Sequence, residues 1–209
     1  AEVAHLVEKV SHKHPAILLA FTNEPQSALG TIADILINLC AGEEYGVATK
    51  TYINALCLAS LLAVHLCGEN VDCALHSMLA ACNTMEAYLE DWEVKSEQID
   101  AIFGEYKNIM VVGRGPSMAS AMNAALNQKE AVWLFTEGMN AAEFRHGPLE
   151  LADEKLKLIV IEGDHATSKY NFELAKEVAD YGGEVLWIGN HPPEKCRSLD
   201  IPDVDDIAR

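Results

Sequence analysis

NIMVVGRGPSMASAMNAALNQKE, residues 108–130, decides the fold. Ile109 to Val112 form an apolar run suited to a strand. Gly113 and Gly115 then permit a tight turn, and Ser117 opens a stretch of helix-forming residues that extends to about residue 131. Strand, turn and helix in that order are the building unit of an α/β chain. Free N–H groups at a helix start favour anions, so GRGPS reads either as an anion cradle or as a plain strand-to-helix turn. It is not a dinucleotide fingerprint, because Met118 stands where G-x-G-x-x-G needs its third glycine.

Outward from this stretch the pattern repeats. Val3, Leu6, Val7 and Val10 keep helical spacing, and Pro15 is expected to close that helix. AILLAF (16–21) and ILINL (35–39) read as strands buried on both faces. Helices are predicted over about 48–66 and 71–90, separated by Gly68. The first is apolar nearly all round and so expected to be buried. A charged helix near 94–105 precedes the 108–112 strand. KLKLIVI (155–161), a helix over 167–181 and EVLWIG (184–189) follow the 117–131 helix. The alternation predicts an α/β fold with mostly parallel strands. AEVAHLVEKVSHKHPAILLAFTNEP and NFELAKEVADYGGEVLWIGNHP both run helix, break, strand, Asn, one residue, Pro. Two similar α/β units in tandem would explain this echo, with a boundary over 91–107.

Composition narrows the partners. The 209 residues suit one large domain or two small ones. With 15 basic and 32 acidic residues the net charge is −17, which opposes nucleic acid and anionic membrane. The longest apolar run, ALCLASLLAV (55–64), is far short of the roughly 20 residues a membrane span needs. No charged, apolar and small-residue leader opens the chain, so a cytoplasmic protein is expected. Both ends read as cut: AEVAHLVEKV starts in helical period without Met, and DVDDIAR stops without a closing element. Six cysteines show no C-x-x-C pair and are expected as small buried hydrophobes. No H-x-x-x-H or H-E-x-x-H spacing occurs, so neither metal nor cofactor is expected, and His65 and His76 read as core histidines.

Two places gather polar groups. In EGMNAAEFRHGPLEL (137–151), Glu137, Glu143, Arg145 and His146 stand beside a break at Gly147 and Pro148 that no helix can continue. That is either a solvated, charged loop or a site for chemistry. On the 117–131 helix, Asn123, Asn127 and Glu130 follow at spacings of four and three and share a face, solvated or functional.

GRGPSMASAMNAALNQKE followed by EGMNAAEFRHGPLEL resembles the second domain of the sugar isomerase (SIS) family. The form it resembles is the isomerase portion of glutamine–fructose-6-phosphate aminotransferases and of related amino-sugar-phosphate deaminases and deglycases. FTNEPQSALGTIADILINLCAGEEYGVATKTYINAL is similar to the later half of the first SIS domain, including that domain's AG-x-E-x-x-VA-x-TK stretch, which reads AGEEYGVATK here. The resemblance implies tandem flavodoxin-like SIS domains in three αβα layers. Residues 1–90 would be the later part of the first, 91–107 the linking helix, and 108–209 the second without its C-terminal end. It also implies a phosphosugar ligand and a homodimer.

Glu130 falls on the family's carboxylate base, which moves a proton between C1 and C2 of the opened sugar. A carboxylate held out of water suits that work. His146 falls on the histidine that assists ring opening in a neighbouring subunit's site, and ring opening needs a proton donor and acceptor of the kind histidine supplies near pH 7. Val47 and Thr49 fall near substrate-lining residues, in a segment one residue shorter than the family's. Gly113, Gly115, Ser117, Asn123 and Asn127 are the further substrate-binding candidates. The aminotransferases carry Glu and Lys where this chain has Asn123 and Asn127. The family's phosphate loop and its C-terminal lysine tail fall outside these residues. The expected function is an isomerase-type enzyme on an amino-sugar phosphate, deaminase or deglycase favoured. The alternatives are the isomerase part of an aminotransferase and a non-catalytic phosphosugar sensor.

Overall fold

The computed structural model describes residues 2–10, 17–104 and 106–204. The chain divides into two compact units, Ala1–Asp72 and Cys73–Arg209, parting in the first turn of a helix.

The first unit contains α1 (Glu2–Val10), β1 (Leu19–Thr22), α2 (Ala28–Ile32), β2 (Ile35–Asn38) and α3 (Lys50–Leu66). Pro15, expected to close α1, lies outside the described residues. β1 and β2 are parallel, with Leu19 opposite Ile35 and Thr22 opposite Asn38. The Ser27 hydroxyl caps α2 by accepting from the Gly30 N–H at 3.2 Å. The expectation of strands buried on both faces fails here. Ala20 is the one buried residue of β1, and β2 is largely exposed. A two-stranded sheet gives each strand a single neighbour, so apolar composition makes the strand without taking it out of water. Nor is any residue of α3 buried, against the expectation from its apolar surface.

The second unit takes nearly all of α4 (Val71–Leu89), then α5 (Trp92–Phe103), β3 (Asn108–Gly113), α6 (Ser117–Val132), β4 (Phe135–Asn140) and α7 (Ala141–Phe144). After a 3₁₀ turn (Pro148–Leu151) come β5 (Lys157–Ile161), α8 (Ser168–Asp180), β6 (Glu184–Ile188) and β7 (Arg197–Leu199). All five strands are parallel, in the order β4-β3-β5-β6-β7. Side chains alternate across the sheet with period two. Ile109, Val111 and Leu186 pack on one face with Phe103 of α5 and Ala121 and Ala125 of α6. Val112, Leu158, Val160, Val185 and Trp187 pack on the other with Phe144 of α7 and Leu174, Ala175 and Val178 of α8. Trp187 meets Phe172 edge-on, with ring centroids 6.2 Å apart. Helices on both faces of a parallel sheet give the three-layer α/β architecture that the sequence predicts.

Two strands escape the sequence reading. β4, FTEGMN, is too polar to announce itself, and β7 has three residues. Gly138 shows what fixes β4: a Cβ there would come within 2.8 Å of the Ala121 carbonyl oxygen, so α6 rests directly on its backbone. Thr136, also buried, donates to Gln128 Oε1 at 3.0 Å and ties the same two elements. Cys40, Cys67, Cys73 and Cys82 are exposed, as are His65 and His76, which corrects their expected burial: they lie on helix and loop faces that no core covers. Among the described residues no helix is long and apolar enough to cross a membrane.

Candidate functional site

The GRGPS loop closes on itself. A Cβ at Gly113 would come within 2.4 Å of the Ser117 carbonyl oxygen, and Gly115 has φ +61° with Thr167 Cγ2 3.1 Å from where its Cβ would stand. Ser117 is buried, its hydroxyl accepting from the Arg114 N–H and donating to the Arg114 carbonyl, both at 2.9 Å. The Thr167 hydroxyl donates to Asp164 Oδ1 at 2.5 Å and lies 3.3 Å from the Arg114 carbonyl oxygen. The Thr167 hydroxyl, then its backbone N–H, holds the Asp164 carboxyl below the usual carboxylate range, against the opposing effect of burial. The Ser117 hydroxyl is thus taken up within its own loop, and the bare backbones of Gly113 and Gly115 let Ser117 and Thr167 approach closely. The Arg114 guanidinium lies over the Tyr170 ring, 5.0 Å from its centroid.

α6 carries Asn123, Asn127 and Glu130 away from the sheet. Its buried residues Ser117, Ala121 and Ala125 define the sheet-facing side. At 100° per residue the three polar residues fall on the opposite side. Glu130 is exposed and Asn123 and Asn127 half-buried, so the second unit does not supply the burial expected of a base. Beside them Met122 and Leu126 are nearly half exposed.

His146 follows α7. Asn140 opens that short helix by accepting from the Ala142 N–H at 2.8 Å, and the His146 N–H donates to the Glu143 carbonyl at 2.8 Å. Gly147, at φ +130°, turns the chain into Pro148, the first residue of the 3₁₀ turn. The break ends α7 and leaves the His146 side chain exposed, while Arg145 is anchored to Glu177 of α8. Because Gly113 pairs with Asn140, the GRGPS loop and the His146 loop both lie at the carboxyl ends of the strands. Glu130 lies thirteen residues along α6 from Ser117, about 20 Å at a helical rise of about 1.5 Å per residue. The second unit brings His146 to the same sheet edge as GRGPS and sets Glu130 at the far end of α6.

Val47 and Thr49 lie in the first unit, in the loop from β2 to α3. The same loop borders a cleft of about 700 Å³ lined by Asn23, Asn38, Cys40, Glu43, Tyr45 and Thr51, among others. Thr49 stands at the N-cap of α3 without capping it. Glu44 does that work, accepting from the Thr49 N–H at 2.9 Å, the Lys50 N–H at 2.6 Å and the Thr51 hydroxyl. The Thr51 hydroxyl, then the Thr49 N–H, pulls the Glu44 carboxyl down to about 2. Sequence reading passed over Glu44; its signal was an acid placed shortly before a Thr-Lys-Thr helix start.

Residues 102–197 match the SIS domain family. Glutamine–fructose-6-phosphate aminotransferase [isomerizing] of Thermosynechococcus vestitus is 31% identical over 206 residues, covering 91% of this chain and 32% of that protein. The chain therefore spans about a third of the length of the curated relatives it matches. The C-terminal domain of glucosamine-fructose-6-phosphate aminotransferase from Francisella tularensis superposes with a TM-score of 0.79 at 20% identity, over 98% of this chain and 61% of that one. Glucosamine-6-phosphate deaminase from Thermotoga maritima gives a TM-score of 0.62 at 20% identity, over 85% and 55%. These two superpositions establish the shared fold.

Proposed function

Residues 102–197 form an SIS domain, and from that premise we propose that this chain is the isomerase-type portion of a cytoplasmic enzyme acting on an amino-sugar phosphate. In this reading residues 1–90 are the later part of a first SIS domain, 91–107 the linking helix and 108–209 the second SIS domain. The substrate is of the glucosamine-6-phosphate or fructose-6-phosphate type. Glu130 takes a proton from one of the C1–C2 carbons of the opened sugar and returns it to the other. His146 gives and takes the proton of ring opening. Asn123 and Asn127 stand beside Glu130, and Val47 and Thr49 line the sugar.

One observation carries the reading. Asn123, Asn127 and Glu130 form a stripe on the side of α6 that the sheet leaves open, within the residues that match the SIS domain family. The separation of Glu130 from the sheet edge bearing His146 favours a homodimer in which His146 serves the neighbouring subunit. Neutral Asn123 and Asn127 favour deamination or deglycation over amine transfer. A second reading, the isomerase part of an aminotransferase, is favoured by the names of the curated relatives.

Full-length protein given glucosamine-6-phosphate is expected to release ammonia and fructose-6-phosphate. Formation of glucosamine-6-phosphate from fructose-6-phosphate and glutamine would favour the second reading, and saturable binding without turnover a sensor. Glu130→Gln is expected to slow exchange of the C2 proton with deuterated solvent about 10²–10⁴-fold while affinity survives. Exchange at the parent rate would remove Glu130 as the base.

A further inference from the structure

The loop that leaves β2 for α3 is built on three left-handed residues: Cys40 at φ 50°, Gly42 at φ 70° and Gly46 at φ 79°. Such a loop has little regular structure to hold it. Asn23 holds its first part, at the Ala41 N–H and the Gly42 carbonyl, and one carboxylate gathers its last part. Glu44 faces the Thr49 N–H, the Lys50 N–H, the Thr49 hydroxyl at 3.3 Å and the Thr51 hydroxyl, all of them donors. The two amides belong to the open end of a 17-residue helix, where unsatisfied N–H groups and the helix dipole favour negative charge. Next to it, the Lys50 ammonium donates to the Glu43 carbonyl at 2.5 Å and the Tyr45 hydroxyl to Glu43 Oε2 at 2.6 Å, so the loop is tied at neighbouring points. Between Glu44 and the first turn of α3 runs the Tyr45–Thr49 segment, short and fastened at both ends.

We infer that Glu44 is a positioning residue: by fastening the first turn of α3 it fixes the Val47–Thr49 segment. Its part in catalysis rests on the proposed reading that Val47 and Thr49 line the sugar. Charge matters as much as shape. A glutamine has the length to reach the same groups, but its NH₂ would face donors and its neutral amide would lose the attraction of the helix end.

Glu44→Gln in the full-length protein tests this, with Val47→Ala as the control on the lining assignment. Amide hydrogen exchange at Thr49 and Lys50 is expected to quicken about 10-fold. KM for the sugar phosphate is expected to rise about 5–10-fold with kcat held within about twofold, a split that general loss of stability does not produce. Unchanged exchange at these two amides overturns the inference. So does faster exchange with an unchanged KM, if Val47→Ala raises KM. If Val47→Ala also leaves KM unchanged, the lining assignment is what fails, and faster exchange still upholds Glu44 as the clamp.

Discussion

In the first unit the chain runs from α1 into β1, then through Asn23 and Pro25 towards the parallel strand β2. In the second it runs from α8 into β6, then through Asn190 and Pro192 to the parallel strand β7. Each asparagine reaches forward beyond the next strand. Asn23 accepts from the Ala41 N–H at 2.8 Å and donates to the Gly42 carbonyl at 2.7 Å; Asn190 donates to Asp203 Oδ1 at 3.2 Å. The local plan is the same, and the burial is not. β6 buries Val185, Leu186 and Trp187, whereas β1 buries Ala20. β6 has strands on both sides and helices on both faces, while β1 has β2. An apolar run thus sets the strand, and its neighbours set what the strand contributes to stability.

The largest expected effect tests that difference directly. Trp187→Ala removes a buried ring packed on Phe172 and should cost about 3–5 kcal/mol, whereas Phe21→Ala in half-buried β1 should cost less than about 2 kcal/mol. Denaturant unfolding followed by circular dichroism measures both, and equal losses would break the comparison.

Glycines sharpen it next. Gly113→Ala forces a methyl against the Ser117 backbone and should cost about 3 kcal/mol. Gly46→Ala, in open space at φ +79°, should cost about 1 kcal/mol, the strain of a left-handed residue alone. The same unfolding measurement decides, and the reverse order would show that the β3–α6 turn is looser than its contacts imply.

Thiol chemistry gives the smallest difference. Burial, and then the nearby Asp180 carboxylate, pushes the half-buried Cys196 thiol up to about 11. Its reactive thiolate is scarce below that pH and grows as pH rises towards it. At pH about 8, iodoacetamide should modify exposed Cys40 of the first unit at least about 10-fold faster than Cys196 of the second. Peptide mapping over a time course reads the two rates, and equal rates would mean that the α8–β7 region opens readily.

By itself the sequence determined the order of the main elements, the parallel α/β class, the strand–turn–helix at Asn108–Val132, and the shared face of Asn123, Asn127 and Glu130. Those follow from period, glycine placement and proline breaks, all properties of neighbouring residues. It also showed that Gly147 and Pro148 keep His146 out of a continuing helix, at a helix end or on a loop. Tertiary structure decided what local pattern cannot reach. β4 became a strand despite its polar residues because Gly138 and Thr136 seat it against α6. α3 went unburied despite its apolar surface, because burial depends on what packs against a helix and composition records only what the helix offers. The hydroxyl of Ser117 was committed to its own loop, and Glu44 was drawn to the start of α3, by hydrogen bonds whose geometry exists only once the chain has folded.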